Sequence, residues 1–263
     1  MDLGLLGKVA LVGGASRGIG KAVAMGLARE GCRVAICGRN RDTLEAAAEE
    51  IRAVTSVDTL PFVCDMADAG DIQRFVAATV EAFGRLDVVV NNAGGPPPGA
   101  FEAHDDAAWH QALSQNLLSV ARTVREALPH LRAAGGGRIV NITSVAVKEP
   151  IPGLVLSNAA RLGVVGLAKT LSRELGPDGI TVNNVCPGLT LTDRMRELYG
   201  GRAQAEGRSL DDALADEARR IPLGRLGQPE DVAALVVFFA SEPARHITGT
   251  TVQVDGGSTA AVM

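Results

Sequence analysis

Short runs of apolar and β-branched residues alternate along the chain with longer stretches whose apolar positions recur every three or four residues. Seven runs read as strands: Lys8 to Val12, Arg33 to Cys37, Leu60 to Cys64, Leu86 to Val90, Arg138 to Ile142, Ile180 to Val185 and Thr251 to Val254. They are apolar at successive positions, which suits strands covered by helices on both faces. Between the third and fourth runs, Ile72, Phe75, Val76, Val80 and Phe83 share the spacing of one helical face. This alternation predicts an α/β protein, a doubly wound seven-stranded parallel sheet with helices on both faces. A polar, Arg-rich, helix-forming stretch between Thr192 and Ile221 interrupts the rhythm after the sixth strand. Ligands of open α/β sheets bind beyond the carboxyl ends of the strands, so residues of about 189–221 are expected to form a substrate lid.

Length and charge narrow the possibilities. The 263 residues, 46% hydrophobic and 21% charged, suit one domain over 1–263 with a substantial core. A net charge of -4 lacks the concentrated positive charge that nucleic acid or an anionic membrane surface requires. The apolar run Val232 to Ala240 is far too short to span a bilayer, and the N-terminus lacks a basic region followed by a long apolar one; neither membrane anchor nor signal is expected. Cys32, Cys37, Cys64 and Cys186 lie in separate apolar runs without metal-ligand spacing, which predicts reduced buried thiols, no metal site and a cytoplasmic location. The chain has one tyrosine, Tyr199, and four lysines, Lys8, Lys21, Lys148 and Lys169. Any chemistry requiring a phenol or an ammonium is confined to those five.

The first strand is followed by Gly13-Gly14-Ala15-Ser16-Arg17-Gly18-Ile19-Gly20 and then by a helical run from Lys21 to Glu30. Glycines at 14, 18 and 20 permit a sharp turn, close approach to a pyrophosphate and tight packing of helix on sheet, while the helix amides face the anion. Between a first strand and a first helix, this is the signature of a dinucleotide-binding Rossmann fold. The second strand ends in Gly38-Arg39-Asn40-Arg41, with no carboxylate before Asp42. An acidic residue there would favour NAD; Arg39, with Arg17, instead suits the 2'-phosphate of NADP(H).

With these residues assembled, the chain resembles the short-chain dehydrogenases/reductases, especially the 3-oxoacyl-carrier-protein reductases. The matching motifs are Gly14-x3-Gly18-x-Gly20, Cys64-Asp65-Met66, Asn91-Asn92-Ala93-Gly94, Gln115-Asn116, Ile139 to Ser144, Pro187-Gly188 and Val254 to Gly257, in the family's order across essentially the whole chain. The resemblance implies one Rossmann domain and a homotetramer built from two long helices, here about Asp105 to Leu131 and Leu154 to Leu175, and the last strand. Apolar positions on those helices include Leu113, Leu117, Val120, Leu167 and Leu171; they suit subunit packing or coverage of the sheet. It further implies that Ser16, Arg17, Gly18, Ile19 and Gly20 cradle phosphate, that Asp65 and Met66 contact adenine, and that Asn92, Ala93 and Gly94 contact the nicotinamide-side ribose. Pro187, Gly188, Thr190 and Thr192 would line the carboxamide. Gly13 replaces a Thr usual in this motif, which removes a structural hydrogen bond.

The catalytic set departs from the family. There an Asn, a Ser, a Tyr thirteen residues later and a Lys four beyond that cooperate. Asn116 and Ser144 match, but Ser157 and Arg161 stand where Tyr and Lys are expected. A phenol near pKa 10 can be tuned toward neutrality by an ammonium, whereas an aliphatic hydroxyl titrates nearer water's value of about 15.7. Arg161 keeps donors for ribose hydroxyls but is a poor proton relay. Three outcomes follow: a substitute acid, other chemistry, or none. Lys148, four residues beyond Ser144, is the candidate substitute, against a solvated lysine paired with Glu149; Tyr199 is the weaker candidate, suited better to lid packing. His104, His110, His130 and His246 fall away from the matched motifs. The expected activity is NADP(H)-dependent interconversion of a carbonyl and an alcohol on a small-molecule or carrier-linked substrate, with a proton donor other than the usual Tyr. The alternatives are a silent NADP-binding sensor or assembly subunit, and a lyase or isomerase on the same scaffold.

Overall fold

The computed structural model describes residues 1–262, the side chains at 202 and 205 excepted. Seven parallel strands run in the order β3-β2-β1-β4-β5-β6-β7: β1 Val9–Val12, β2 Arg33–Gly38, β3 Thr59–Val63, β4 Val88–Asn91, β5 Gly137–Ile142, β6 Ile180–Pro187 and β7 Thr251–Val254. All seven expected runs are strands. The fourth begins two residues later than the apolar pattern suggests; just before it, Asp87 joins β1 through its carboxylate, which accepts from the Val9 amide at 2.9 Å, and through its own amide, which donates to the Val9 carbonyl at 3.0 Å.

Alternation along each strand sends successive side chains to opposite faces. Ala10 and Val12 meet α1 (Gly18–Arg29), α2 (Arg41–Thr55) and α9 (Pro229–Ala240) in one core. Val9 and Leu11 meet the core formed by α3 (Ala69–Phe83), α5 (Ser119–Ala133) and α6 (Val155–Glu174). The periodic face of α3 lies in this second core, with Phe75 fully buried, a burial that favours folding by about 1.5–3 kcal/mol.

The long helix expected over Asp105 to Leu131 is divided. After α4 (Asp106–Leu113) the chain widens into a π-helical turn, Ser114–Leu118, before α5 begins. Around it, Asn116 Nδ2 donates to the Ala112 carbonyl at 3.2 Å and Ser119 Oγ donates to Gln115 at 2.6 Å, side-chain bonds of the sort that compete with regular helix turns. Leu117, Val120, Leu167 and Leu171 cover this chain's own sheet, whereas Leu118, Leu162 and Phe101 are exposed.

A ladder of side-chain hydrogen bonds crosses the sheet from β4 to β7. Asn91, Asn141, Asn184 and Thr251 are register partners on β4 to β7. Asn91 Nδ2 donates to Asn141 at 2.8 Å, Asn141 Nδ2 to Asn184 at 2.9 Å, and Asn184 Nδ2 to Thr251 Oγ1 at 3.0 Å. The side-chain nitrogens of all three asparagines thus have acceptors, and a one-residue slip of any strand would break the chain of bonds.

Beyond β6, α7 (Asp193–Ala205) and α8 (Leu210–Arg220) occupy the expected lid segment. Met195, Leu214, Ile221 and Leu226 form a small separate core under them, and Tyr199 packs against it.

Candidate functional site

The order β3-β2-β1-β4 reverses direction between β1 and β4, and a cleft of about 390 Å³ opens there at the carboxyl ends of the strands. At one end is the glycine turn. Gly14 and Gly18 have φ of +55° and +58°, and a Cβ on Gly20 would lie 2.3 Å from the Gly14 carbonyl oxygen. Only glycine leaves that approach open. Asn92 Nδ2 donates to the carbonyls of Gly13 and Gly14, both at 3.1 Å. A Cβ at Gly13 would come within 2.7 Å of the Asn92 carbonyl oxygen, so the glycine there permits the two loops to approach. Helix α1 starts at Gly18 with no side chain capping its first turn, which leaves amide donors directed at the cleft for an anion.

Arg39 is exposed at the end of β2 on the cleft rim, among the lining residues Ser16, Arg17 and Gly38. Arg17 is shared: its Nη1 donates to Glu197 of α7 at 3.2 Å, with both side chains more than half exposed. Met66 and Asp65 line the same end, and the Asp65 carboxylate accepts from the Ala67 amide at 2.9 Å. Ala93 and Gly94, Pro187, Gly188 and Thr192 complete the wall. Thr190 stands apart from the lining. It is buried, and its hydroxyl turns back to the Gly188 carbonyl at 3.2 Å.

The far end holds Ser144, Ser157 and Arg161. Ser144 leads off β5 in an extended conformation, and its Oγ accepts from the Ala146 amide at 3.1 Å. Arg161 projects from α6: Nη1 donates to the carbonyls of Ile142 at 3.1 Å and Thr143 at 3.0 Å, and Nε donates to Ser157 Oγ at 3.2 Å. Burial, assisted by the charge of Arg194, pushes the Arg161 guanidinium down to about 10, so it is less firmly cationic than an ordinary arginine yet still protonated at neutral pH. Asn116 lies behind this end, where it shares with Asn91, Arg161 and Thr143 a cavity of about 10 Å³. The Oδ1 atoms of Asn91 and Asn116 are buried and have no donor among the described residues.

Lys148 ends the short 3-10 turn Val145–Val147 after Ser144 and is half-buried, outside the cleft wall. Its charge bears on Cys186, whose thiol is raised by burial and then eased downward by Thr143 and by Lys148. The expected pairing with Glu149 is not formed; Glu149 accepts from the Ala260 amide at 3.1 Å. All four cysteines are free and buried. Burial pushes the Cys32 thiol up to about 12.

Residues that sequence reasoning missed also reach the cleft, notably Gly95, Gln115 and Arg194. Gln115 Nε2 donates to the Gly94 carbonyl at 3.0 Å and steadies that loop. Arg194 had only the Arg-rich composition of its segment as a signal, since its approach to Gly94 and Gly95 depends on how α7 folds over the sheet.

Residues 14–259 match the family profile described as enoyl-(acyl carrier protein) reductase. The 3-oxoacyl-acyl-carrier-protein reductase FabG of Staphylococcus aureus is 38% identical over 256 residues, covering 95% of this chain and 97% of the relative. Among solved structures, the L-sorbose reductase of Gluconobacter frateurii complexed with NADPH and L-sorbose superposes with a TM-score of 0.97 at 31% identity over 100% of both chains. An actinorhodin polyketide ketoreductase with NADPH superposes with a TM-score of 0.90 at 36% identity, covering 95% of this chain and 97% of that one.

Proposed function

The chain belongs to the short-chain dehydrogenase/reductase family, and we propose that it is an NADP(H)-dependent reductase interconverting a carbonyl and an alcohol with a proton donor other than the family's usual Tyr. The observation that carries this reading is a single cleft holding both a phosphate cradle and the Ser144, Ser157 and Arg161 cluster. The cradle suits NADP(H): the uncapped α1 amides and the absent side chains at 14, 18 and 20 accommodate a pyrophosphate, and Arg39 carries no carboxylate partner among the described residues.

The bound nicotinamide supplies hydride chemistry; the protein must hold the carbonyl oxygen and provide its proton. In this reading Ser144 donates to that oxygen. Arg161, in the same reading, holds ribose hydroxyls and keeps Ser157 oriented as an acceptor. Ser157 cannot replace a phenol, because an alcohol proton is too weakly acidic at neutral pH. Loss of a positioned acid typically lowers the rate by about 10²- to 10⁴-fold. Lys148 is the substitute we favour: it follows Ser144 on the same segment, is half-buried and makes no pair with Glu149. Its distance from the wall implies delivery through water or through Ser144. Helices α7 and α8 act as the lid over this single domain. The exposed Leu118 and Leu162 support a homotetramer through the α5 and α6 region; a monomer in light scattering at micromolar concentration would reject that assembly.

Oxidation of NADPH by a panel of ketones, 3-oxo esters and oxo acids, followed by absorbance, tests the activity. Tight NADPH binding without turnover of any carbonyl would identify the silent binding subunit, a reading favoured by the interlock of Ser157 with Arg161. Consumption of substrate without change in absorbance would identify a lyase or isomerase.

A further inference from the structure

Two guanidinium groups converge at the far end of the cleft, neither of them ion-paired with a described residue. A Cβ placed at Gly95 would stand 3.6 Å from Nη2 of Arg194 and 4.0 Å from Nη2 of Arg161, so both cations border the same small volume. Arg161 commits Nη1 to two carbonyls and Nε to Ser157; its Nη2 has no acceptor among the described residues. Arg194 donates from Nη2 to the Pro96 carbonyl at 3.3 Å, and its Nη1 likewise has none. Neither forms an ion pair with a described residue, whereas neighbouring Arg17 is paired with Glu197. Asp193 also lines the cleft but pairs with neither guanidinium. The mutual repulsion is felt by Arg161, whose affinity for its proton is lowered first by burial and then by Arg194.

Like charges gathered beside a partly buried site oppose folding unless a ligand of opposite charge offsets them. Two open N–H faces on separate guanidiniums match the two oxygens of a carboxylate, and such charge-assisted bonds are the strong ones. The small side chain of Ser157 in place of an aromatic ring leaves room for that group beside Ser144. The phosphate cradle lies at the opposite end, on the glycine turn, so cofactor phosphates have their own donors.

We propose that Arg161 and Arg194 together receive a carboxylate carried next to the reacting carbonyl, so that the substrate is a small free 2- or 3-oxo acid rather than a carrier-linked thioester. This rests on the reductase reading above. A thioester presents no charge at that position and would leave both cations without an anion, since ribose hydroxyls are neutral.

The test is calorimetry on the full chain loaded with NADPH, with malonate as the carboxylate probe and malonamide as its neutral counterpart. Malonate should bind at least tenfold more tightly than malonamide. Arg194 is surface-exposed on α7, so Arg194→Gln should fold; it should weaken malonate tenfold or more and leave NADPH affinity within twofold, while Arg194→Lys retains part of the binding. In turnover, an oxo acid should show a lower KM than its methyl ester, and Arg194→Gln should abolish that difference. Equal binding of malonate and malonamide, or an unaffected Arg194→Gln, overturns the proposal, as does a loss that falls on NADPH affinity instead. If no carbonyl oxidises NADPH while malonate still binds through Arg194, the anion site stands and the reductase reading fails.

Discussion

Arg161 Nε donates to Ser157 Oγ at 3.2 Å across one turn of α6, so the two residues that depart from the family pattern form one hydrogen-bonded unit. Each constrains the other. The guanidinium needs the small hydroxyl beside it, and the hydroxyl is held as an acceptor by the guanidinium.

Ser157→Tyr with Arg161→Lys should therefore raise carbonyl reduction by about 10²- to 10⁴-fold relative to either change alone, because a phenol needs an adjacent ammonium to act as an acid near neutral pH. The double variant also gives up some of the bonds to Ile142 and Thr143, at a cost of about 1–3 kcal/mol in stability, readable as a lower thermal midpoint. A double-mutant cycle on turnover decides it: additive effects would reject the coupling.

Arg39→Ala should weaken NADP binding by about 10- to 100-fold, the range expected for loss of a charge-assisted hydrogen bond, and leave NAD binding unchanged. Calorimetry with both nucleotides separates the outcomes. An equal loss for the two would place Arg39 against a part of the cofactor that they share.

Lys148→Ala should lower turnover by about 10² or more with NADPH affinity unaltered, since the residue stands outside the cleft wall. Full activity in this variant would exclude Lys148 as the proton source.

Stability should fall in acid through Asp87. Burial alone would raise its carboxyl, but the hydrogen bond from Arg85, the Val9 amide and the charge of Lys8 prevail and hold it below the ordinary carboxylate value. Arg85 Nε and Nη2 reach it at 2.8 and 2.6 Å. With the folded value below the unfolded one, the contribution is complete above about pH 4 and disappears as pH falls through the folded value. Asp87→Asn should cost about 1.5–3 kcal/mol at pH 7 and flatten the acid limb of a stability-against-pH curve. An acid limb of unchanged steepness would show that other carboxylates govern it.

How much of this was legible in the sequence follows from the range of each interaction. Strand alternation, the α3 face and the glycine turn depend on neighbours a few residues apart, so the seven-stranded parallel sheet and the phosphate cradle could be read from spacing alone. The replacements at 157 and 161 were equally visible, as was the absence of a carboxylate beside Arg39. Other features exist only between distant segments. The π-helical turn that divides the long helix arises from side chains competing for backbone carbonyls, which no apolar period records. The Asn91–Asn141–Asn184 ladder requires three strands in register. Lys148 lies near Ser144 in sequence but outside the cleft, because the turn after β5 carries it toward Cys186. Arg194 is 33 positions from Arg161, and their meeting over Gly95 is decided by the folding of α7 across the sheet. Local periodicity thus determines the scaffold, while the charge at the reacting end of the cleft is set by tertiary packing.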